Sequence, residues 1–395
     1  MSTNASALPL PSALPPIQIN RKPLWIALLL VLAGALYLNQ TVSWRQGALW
    51  IVGALLGVAL YHASFGFTQA WRVFVSDRRG AGLRAQMFML AVGVLLFFPF
   101  LAQGSLFGQP VNGLVSPPGV SVLLGAFLFG IGMQLGGGNT RMLVTLLFFI
   151  IGSVVATANF GWWSTLPALA PTSHIKTWGL APALIANLAV FALIAWIATV
   201  LEKRRHGHVV SFASRTARPA SLLQGPWPLI WGGVALVVLN FATLALAGRP
   251  WGITSAFALW GAKALDAMGG DVATWAYWSK QAALGAPLRQ DVTTVMDIGL
   301  MLGALAAASA AGKFAPVWKV PARSLAGAVI GGLLLGYGAR LAFGCNIGAY
   351  FSGILSGSLH AWLWLPAAFA GSALGVRLRP LFGLAVEKTP AASSC

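Results

Sequence analysis

Acidic side chains are scarce in this sequence, with 7 Asp and Glu among 395 residues against 25 Lys and Arg. No pair of carboxylates, no nucleophile beside a base and no nucleotide-binding loop can be picked out, which argues against a hydrolytic or phosphoryl-transfer enzyme. Charge of either sign is rare: 8% of residues are Asp, Glu, Lys or Arg, where a soluble domain carries about a quarter. Only two cysteines occur, Cys345 and Cys395. That number excludes a disulfide framework, and no second Cys or His stands at zinc-ligand spacing. No cofactor and no metal is implied.

What fills the chain is apolar. Hydrophobic residues make up 58% and the mean hydropathy is +0.79. Spans of about 20 apolar residues are predicted at 24–40, 47–63, 83–103, 119–137, 142–159, 178–201, 227–248, 292–312, 325–342 and 359–376. The expectation is an all-α polytopic membrane protein with about nine or ten transmembrane helices. Basic residues gather in alternate gaps: Arg21 and Lys22; Arg72, Arg78, Arg79 and Arg84; Lys203, Arg204 and Arg205; Lys313, Lys319 and Arg323; Arg377, Arg379 and Lys388. By the positive-inside rule these gaps are cytoplasmic, as are both termini. The net charge of +18 therefore reads as topology, with the lipid bilayer as partner and no nucleic acid. Residues 1–22 lack a cleavable signal pattern and read as a disordered cytoplasmic extension, residues 23–388 as the transmembrane domain and 389–395 as a tail.

Two apolar stretches, 64–76 and 250–268, are too short or too broken to span. They read as short re-entrant helices, which survive at membrane depth only inside protein or along a wet cavity. They resemble each other: FGFTQAW (65–71) aligns with WGITSAF (251–257), placing Gly66 over Gly252 and Thr68 over Thr254. GAFLFGIGMQLGGG (125–138) aligns with GGLLLGYGARLAFG (331–344) at an offset of 206 residues, placing Gln134 over Arg340 and Gly138 over Gly344. Gly152-Ser153 aligns with Gly371-Ser372 at an offset of 219. Five helices separate equivalent starts, so the halves, roughly 45–160 and 226–378 around a basic linker 202–225, are expected to be inverted repeats meeting at a site near the midplane. The offsets make the first half 13 residues shorter between Gly138 and Gly152.

The second half spends those residues on CNIGAYFSGILSGSLHAW (345–362). Around Cys345, the glycines Gly344 and Gly348 allow a backbone break whose amides, with Asn346, favour an anion. A buried inert cysteine is the bland alternative. Arg340 lies in an apolar span, where an ionisable group is functional by default. Arg141 and His360 follow the two breaks, as pathway or interfacial residues, and Asn139 begins the shortened first connection. His62 ends the second span, as a ligand contact or a satisfied helix-end residue. Asp297 is expected to pair with a basic group, and Trp25, Trp44, Trp162, Trp163, Trp178 and Trp227 to anchor helix ends at the interface.

GARLAFGCNIGAYFSGILSGSLHAWLWLPAAFAGSALGVRLRP (338–380), with FGIGMQLGGG and ALYHASFGFTQAWR, closely resembles the YeeE/YedE family of bacterial sulfur transporters over roughly 45–390. The resemblance implies an inner-membrane protein with inverted halves and a narrow path where thiols contact a thiosulfate-like anion in succession. It also implies a cytoplasmic TusA-like sulfur-carrier protein as acceptor. Cys345 resembles the family's central cysteine. The family's first-half Gly-Gly-Cys-x-Ser-Gly-Thr segment is missing, and Phe65-Gly66-Phe67 has no cysteine.

The leading expectation is import of a small sulfur-containing anion, not an enzymatic reaction. Two rivals stand beside it. One is a non-transporting partner of a soluble sulfur carrier; the other is an intramembrane sulfurtransferase holding a persulfide on Cys345.

Overall fold

The computed structural model describes residues 19–63, 66–137, 141–212, 225, 227–279, 281–316 and 319–386. The expectations for residues 1–18, for residues 213–224 of the 202–225 linker and for the 389–395 tail lie outside the described residues, as does Cys395. In lipid a backbone must satisfy its own N–H and C=O groups, and apolar runs of this length do so as helices. The chain accordingly forms α1 (Arg21–Thr41), α2 (Trp44–Ala63), α3 (Phe67–Asp77), α4 (Ala81–Gln103), α5 (Val120–Gly136) and α6 (Arg141–Ala158). Two short helices, α7 (Phe160–Trp163) and α8 (His174–Trp178), precede the long α9 (Leu180–His206). Then follow α10 (Leu229–Ala247), α11 (Thr254–Ala267), α12 (Val292–Ala310), α13 (Ala322–Leu341), α14 (Gly353–Leu355) and α15 (Leu359–Leu378). The only strands among the described residues are β1 (Ser105–Leu106) and β2 (Gln109–Pro110), a small hairpin after α4.

Nine helices among the described residues are long and apolar enough to cross a membrane, and α5, at 17 residues, is a shorter apolar one. The chain is therefore an all-α, multi-pass membrane protein. The two stretches too short to span form α3 and α11. Large apolar side chains such as Leu29, Leu143, Leu193 and Trp25 point outward from the bundle, as lipid contact requires. Trp44, Trp162 and Trp178 are also exposed at helix ends.

Packing repeats when the two halves are exchanged. α5 lies along α15 as α13 lies along α6; α3 touches α4, α5 and α15, while α11 touches α12, α13 and α6. α2 packs on α12, and α10 on α4. Glycines allow these crossings. A side chain at Gly130 would run into the Ala368 carbonyl and the Ser372 amide, and one at Gly336 into the Phe149 carbonyl and the Ser153 amide. Gly371 rests on Phe127 in the same way as Gly152 rests on Leu333. Each pair is related by the sequence offsets of 206 and 219.

The connections between the paired helices differ. Only residues 137–140 separate α5 from α6. Residues 342–358 separate α13 from α15, and they include a π-helical turn (Asn346–Ser352) followed by α14.

Candidate functional site

Cys345 stands immediately before the π-helical turn and is 5% exposed; its Sγ accepts a hydrogen bond from the Ile347 amide at 3.4 Å. The turn is possible because Gly344 has φ +147, a conformation closed to L side chains. A Cβ there would also lie 2.8 Å from the Ala349 amide nitrogen. A π turn leaves the spacing of backbone bonds irregular and is frequent at functional sites.

Two helix starts flank this turn. From the first half, α3 presents Phe67, whose ring meets Tyr350 edge to face at 5.6 Å, and Trp71, at 6.1 Å from the same ring. From the second half, the segment leading into α11 brings Gly252 against Gly348. There the Ser352 hydroxyl donates to the Trp251 carbonyl at 2.6 Å, and the Asn240 amide to Ser352 Oγ at 3.1 Å. Neither α3 nor α11 carries a side-chain N-cap hydrogen bond. Tyr350 stacks on Trp364 of α15, with centroids 5.8 Å apart and planes 6° from parallel.

Arg340 closes the second-half side. It is 5% exposed, donates from Nη2 to Thr254 Oγ1 at 2.5 Å and from Nη1 to the Tyr277 hydroxyl at 3.1 Å, and its Nε has no partner. Among the described residues no carboxylate pairs with it, although the charge sits within electrostatic reach of Cys345. Other buried donors around the turn also lack partners among the described residues: Trp251 Nε1, Trp364 Nε1 and the Tyr350 hydroxyl. An unmet buried donor costs about 1–3 kcal/mol. A set of them, with an unneutralised guanidinium, suits an acceptor-rich anion.

The first half joins the aligned residues without the charge, through a backbone carbonyl in place of a hydroxyl. Gln134, the counterpart of Arg340, donates to the carbonyl of Thr68, the counterpart of Thr254, at 3.1 Å and to Ser372 Oγ at 2.6 Å. Gly66 caps the start of α3 two residues before Thr68. Where the second half has its π turn, the first half ends α5 under guanidinium groups. Arg379 donates to the Gln134 carbonyl at 2.6 Å, and Arg141 donates to the Gly137 and Leu135 carbonyls and to Ser324 Oγ at 2.5 Å. Gly138 and Asn139 lie outside the described residues.

Of the remaining expected residues, His360 abuts Gly353 next to the π turn and pairs its Nδ1 with Ser358 Oγ at 2.6 Å. His62 lies elsewhere: its ring packs on Trp227 and Gly225, and its carbonyl accepts from the Trp227 amide at 2.7 Å. Its place at the end of α2, away from the turn, fits the helix-end alternative better than a ligand contact. Asp297 has no hydrogen-bond partner among the described residues, so the expected pairing with a basic group is not made. Tyr277 is not marked by the sequence, and Ser372 only as part of the Gly371-Ser372 repeat match, with no site role. Tyr277 comes from the turns between α11 and α12, and nothing local in that stretch marks it for Arg340.

Residues 62–374 match the family described as sulphur transport. Among curated relatives, a probable transporter YedE of Escherichia coli K12 is 34% identical over 171 residues, 42% of this chain and 42% of that protein. The protein of the same name from Salmonella typhimurium is 35% identical over 164 residues, 40% of this chain and 41% of its own length. These matches span less than half of the relatives' length. A thiosulfate transporter TsuA of Spirochaeta thermophila is 27% identical over 339 residues, covering 79% of this chain and 92% of that protein.

Proposed function

The chain belongs to the sulphur transport family, and on that premise we propose that it imports a small, thiosulfate-like sulfur anion across the bacterial inner membrane. The observation that carries this reading is the position of Cys345: a buried thiol on a π turn held between the starts of α3 and α11, beside the uncompensated Arg340. Arg340 and the unmet donors attract and desolvate a divalent anion, while the polarisable thiol offers a soft contact to its terminal sulfur. The exchanged contacts of the two halves support inverted repeats with the path between them. Both termini are assigned to the cytoplasm, where a TusA-like carrier would receive the sulfur compound. The chain acts as a carrier and not as an enzyme on this reading, which the transporter names of its relatives support.

The test is uptake of labelled thiosulfate into cells lacking other importers, comparing the wild type with Cys345→Ala and Cys345→Ser. Uptake by the wild type and its loss in Cys345→Ala is the expected result. Absence of uptake by the folded wild type would remove the transport reading.

The short first connection favours one alternative. Because α5 ends under Arg141 and Arg379 where its counterpart carries a thiol-bearing turn, the chain could serve as a non-transporting partner of a soluble sulfur carrier. That reading requires capture of the carrier without thiosulfate flux. An intramembrane sulfurtransferase would instead leave a reducible persulfide mass on Cys345.

A further inference from the structure

Asp297 differs from the other acids that the structure describes. Glu202 is met by Arg84 at 2.7 Å and Arg79 at 3.5 Å. Asp77 faces His206 at 4.0 Å, and Asp291 caps α12 by accepting from the Thr294 amide at 2.7 Å. Asp266 and Asp271 are exposed. Asp297 is 2% exposed, lies in the second turn of a membrane-spanning helix, and has no hydrogen-bond partner on either carboxylate oxygen. An ionised carboxylate in such a place has nothing to offset its lost hydration.

Its direction is equally specific. Gly299 and Gly303 press α12 against the backbone of α2 at Trp50 and Ala54. At about 100° per residue, Gly299 lies about 200° around the helix from Asp297, so the carboxyl faces away from α2 and into the second half. One turn earlier on the same face, Thr293 accepts from Arg249 at 3.1 Å and from Ser255 of α11 at 3.2 Å. Cys345 and Asp291 lie within electrostatic reach of Asp297, and Arg340 lies within reach of Cys345. α12 also packs on α1 and on the turn Leu288–Gln290, which bring Tyr37 and Arg289 beside Thr294, Val295 and Ile298. Arg249, within electrostatic reach of Asp291, is engaged with the Thr293 hydroxyl, and Arg340 with the hydroxyls of Thr254 and Tyr277.

We propose that Asp297 is a proton-carrying site that couples passage of the anion to passage of a proton in the same direction, an inference that rests on the transport reading above. An O–H bond forms on Asp297 with a proton from the side the anion leaves, and breaks to release that proton on the side the anion reaches; the anion itself is unchanged. A proton on Asp297 removes the negative charge that would repel a divalent anion beside Cys345, and the anion in turn favours the protonated carboxyl, so the coupling is reciprocal.

The experiment uses the full chain in proteoliposomes with the membrane voltage clamped and a pH difference imposed. Labelled thiosulfate accumulation and internal pH are followed for the wild type, Asp297→Asn and Asp297→Glu. For one coupled proton the steady accumulation ratio changes about tenfold per unit of pH difference. Thiosulfate should also acidify the lumen. Asp297→Asn should lose the dependence on the pH difference and Asp297→Glu should keep it. Wild-type uptake that ignores the pH difference, or an Asp297→Asn protein that retains it, overturns the coupling and leaves transport standing. If Asp297→Asn does not fold, the wild-type ratio and lumenal acidification decide alone. A folded wild type that moves no thiosulfate overturns the transport reading, and the coupling with it.

Discussion

Phe67 and Tyr350 meet edge to face across the two halves, with ring centroids 5.6 Å apart and planes at 76°. Their contact ties the start of α3 to the turn that follows Cys345, so first-half packing supports a second-half site. Phe67 is 2% exposed, and truncating a buried Phe costs about 3–5 kcal/mol. Phe67→Ala should lower the melting temperature in detergent and abolish thiosulfate uptake. Phe67→Leu, which keeps most of the volume, should retain more of both. Equal uptake by all three proteins would show that the turn does not depend on this contact.

Arg340→Gln puts into the second half the residue that already stands at 134 in the first. The charge is lost while a donor to Thr254 is kept. Losing a charged hydrogen bond costs about 1.5–3 kcal/mol, which is roughly a 10- to 100-fold rise in the Kd for thiosulfate. Calorimetry on the purified protein reads this directly. Unchanged affinity would remove Arg340 from the anion's contacts.

Gly130 and Gly336 occupy equivalent crossings, so Gly130→Val and Gly336→Val should damage the protein alike. Overpacking of this kind costs about 1–3 kcal/mol. Two melting curves shifted down by similar amounts are expected. A large shift for one and none for the other would separate the two crossings energetically.

His174, on the short helix α8 outside the spans, is 3% exposed and pairs Nε2 with the Asn187 amide at 2.8 Å. Burial pulls its pKa down from 6.5 to about 4. Between those values the unfolded chain binds the extra proton, so the stabilisation is full above pH 6.5 and is lost as the pH falls toward about 4. The difference corresponds to about 3 kcal/mol. Thermal unfolding in detergent should therefore weaken across this window, and His174→Gln should flatten the dependence.

Much of this architecture is legible in the residues. Apolar runs of bilayer length mark the spans, and the strings around Gly130 and Gly336 mark crossings that the packing then makes. The aligned pairs Gln134 with Arg340 and Thr68 with Thr254 are hydrogen-bonded in both halves, through the Thr68 carbonyl in the first and the Thr254 hydroxyl in the second. Other parts arise only when distant segments dock. Tyr277 reaches Arg340 from 63 residues away, and Ser372 reaches Gln134 from 238; no periodicity encodes such pairings. The glycines around Cys345 signal a break in the helix, yet a π turn and a short α-helix of three residues have the same composition as a loop. Asp297 carries no mark of its isolation, because the lack of a partner is a property of its surroundings.

The π turn before α14 holds more residues per turn than the α-helices on either side. That surplus is slack: a segment that passes between π and α winding slides its register by one residue, about 1.5 Å of helix rise, while its neighbours stay seated. The thiol stands at the edge of this slack, with Gly344 as the pivot. On the proposed transport reading, an ion would pass Cys345 by a slip of the thread it stands on, with the glycine-locked halves remaining as they are.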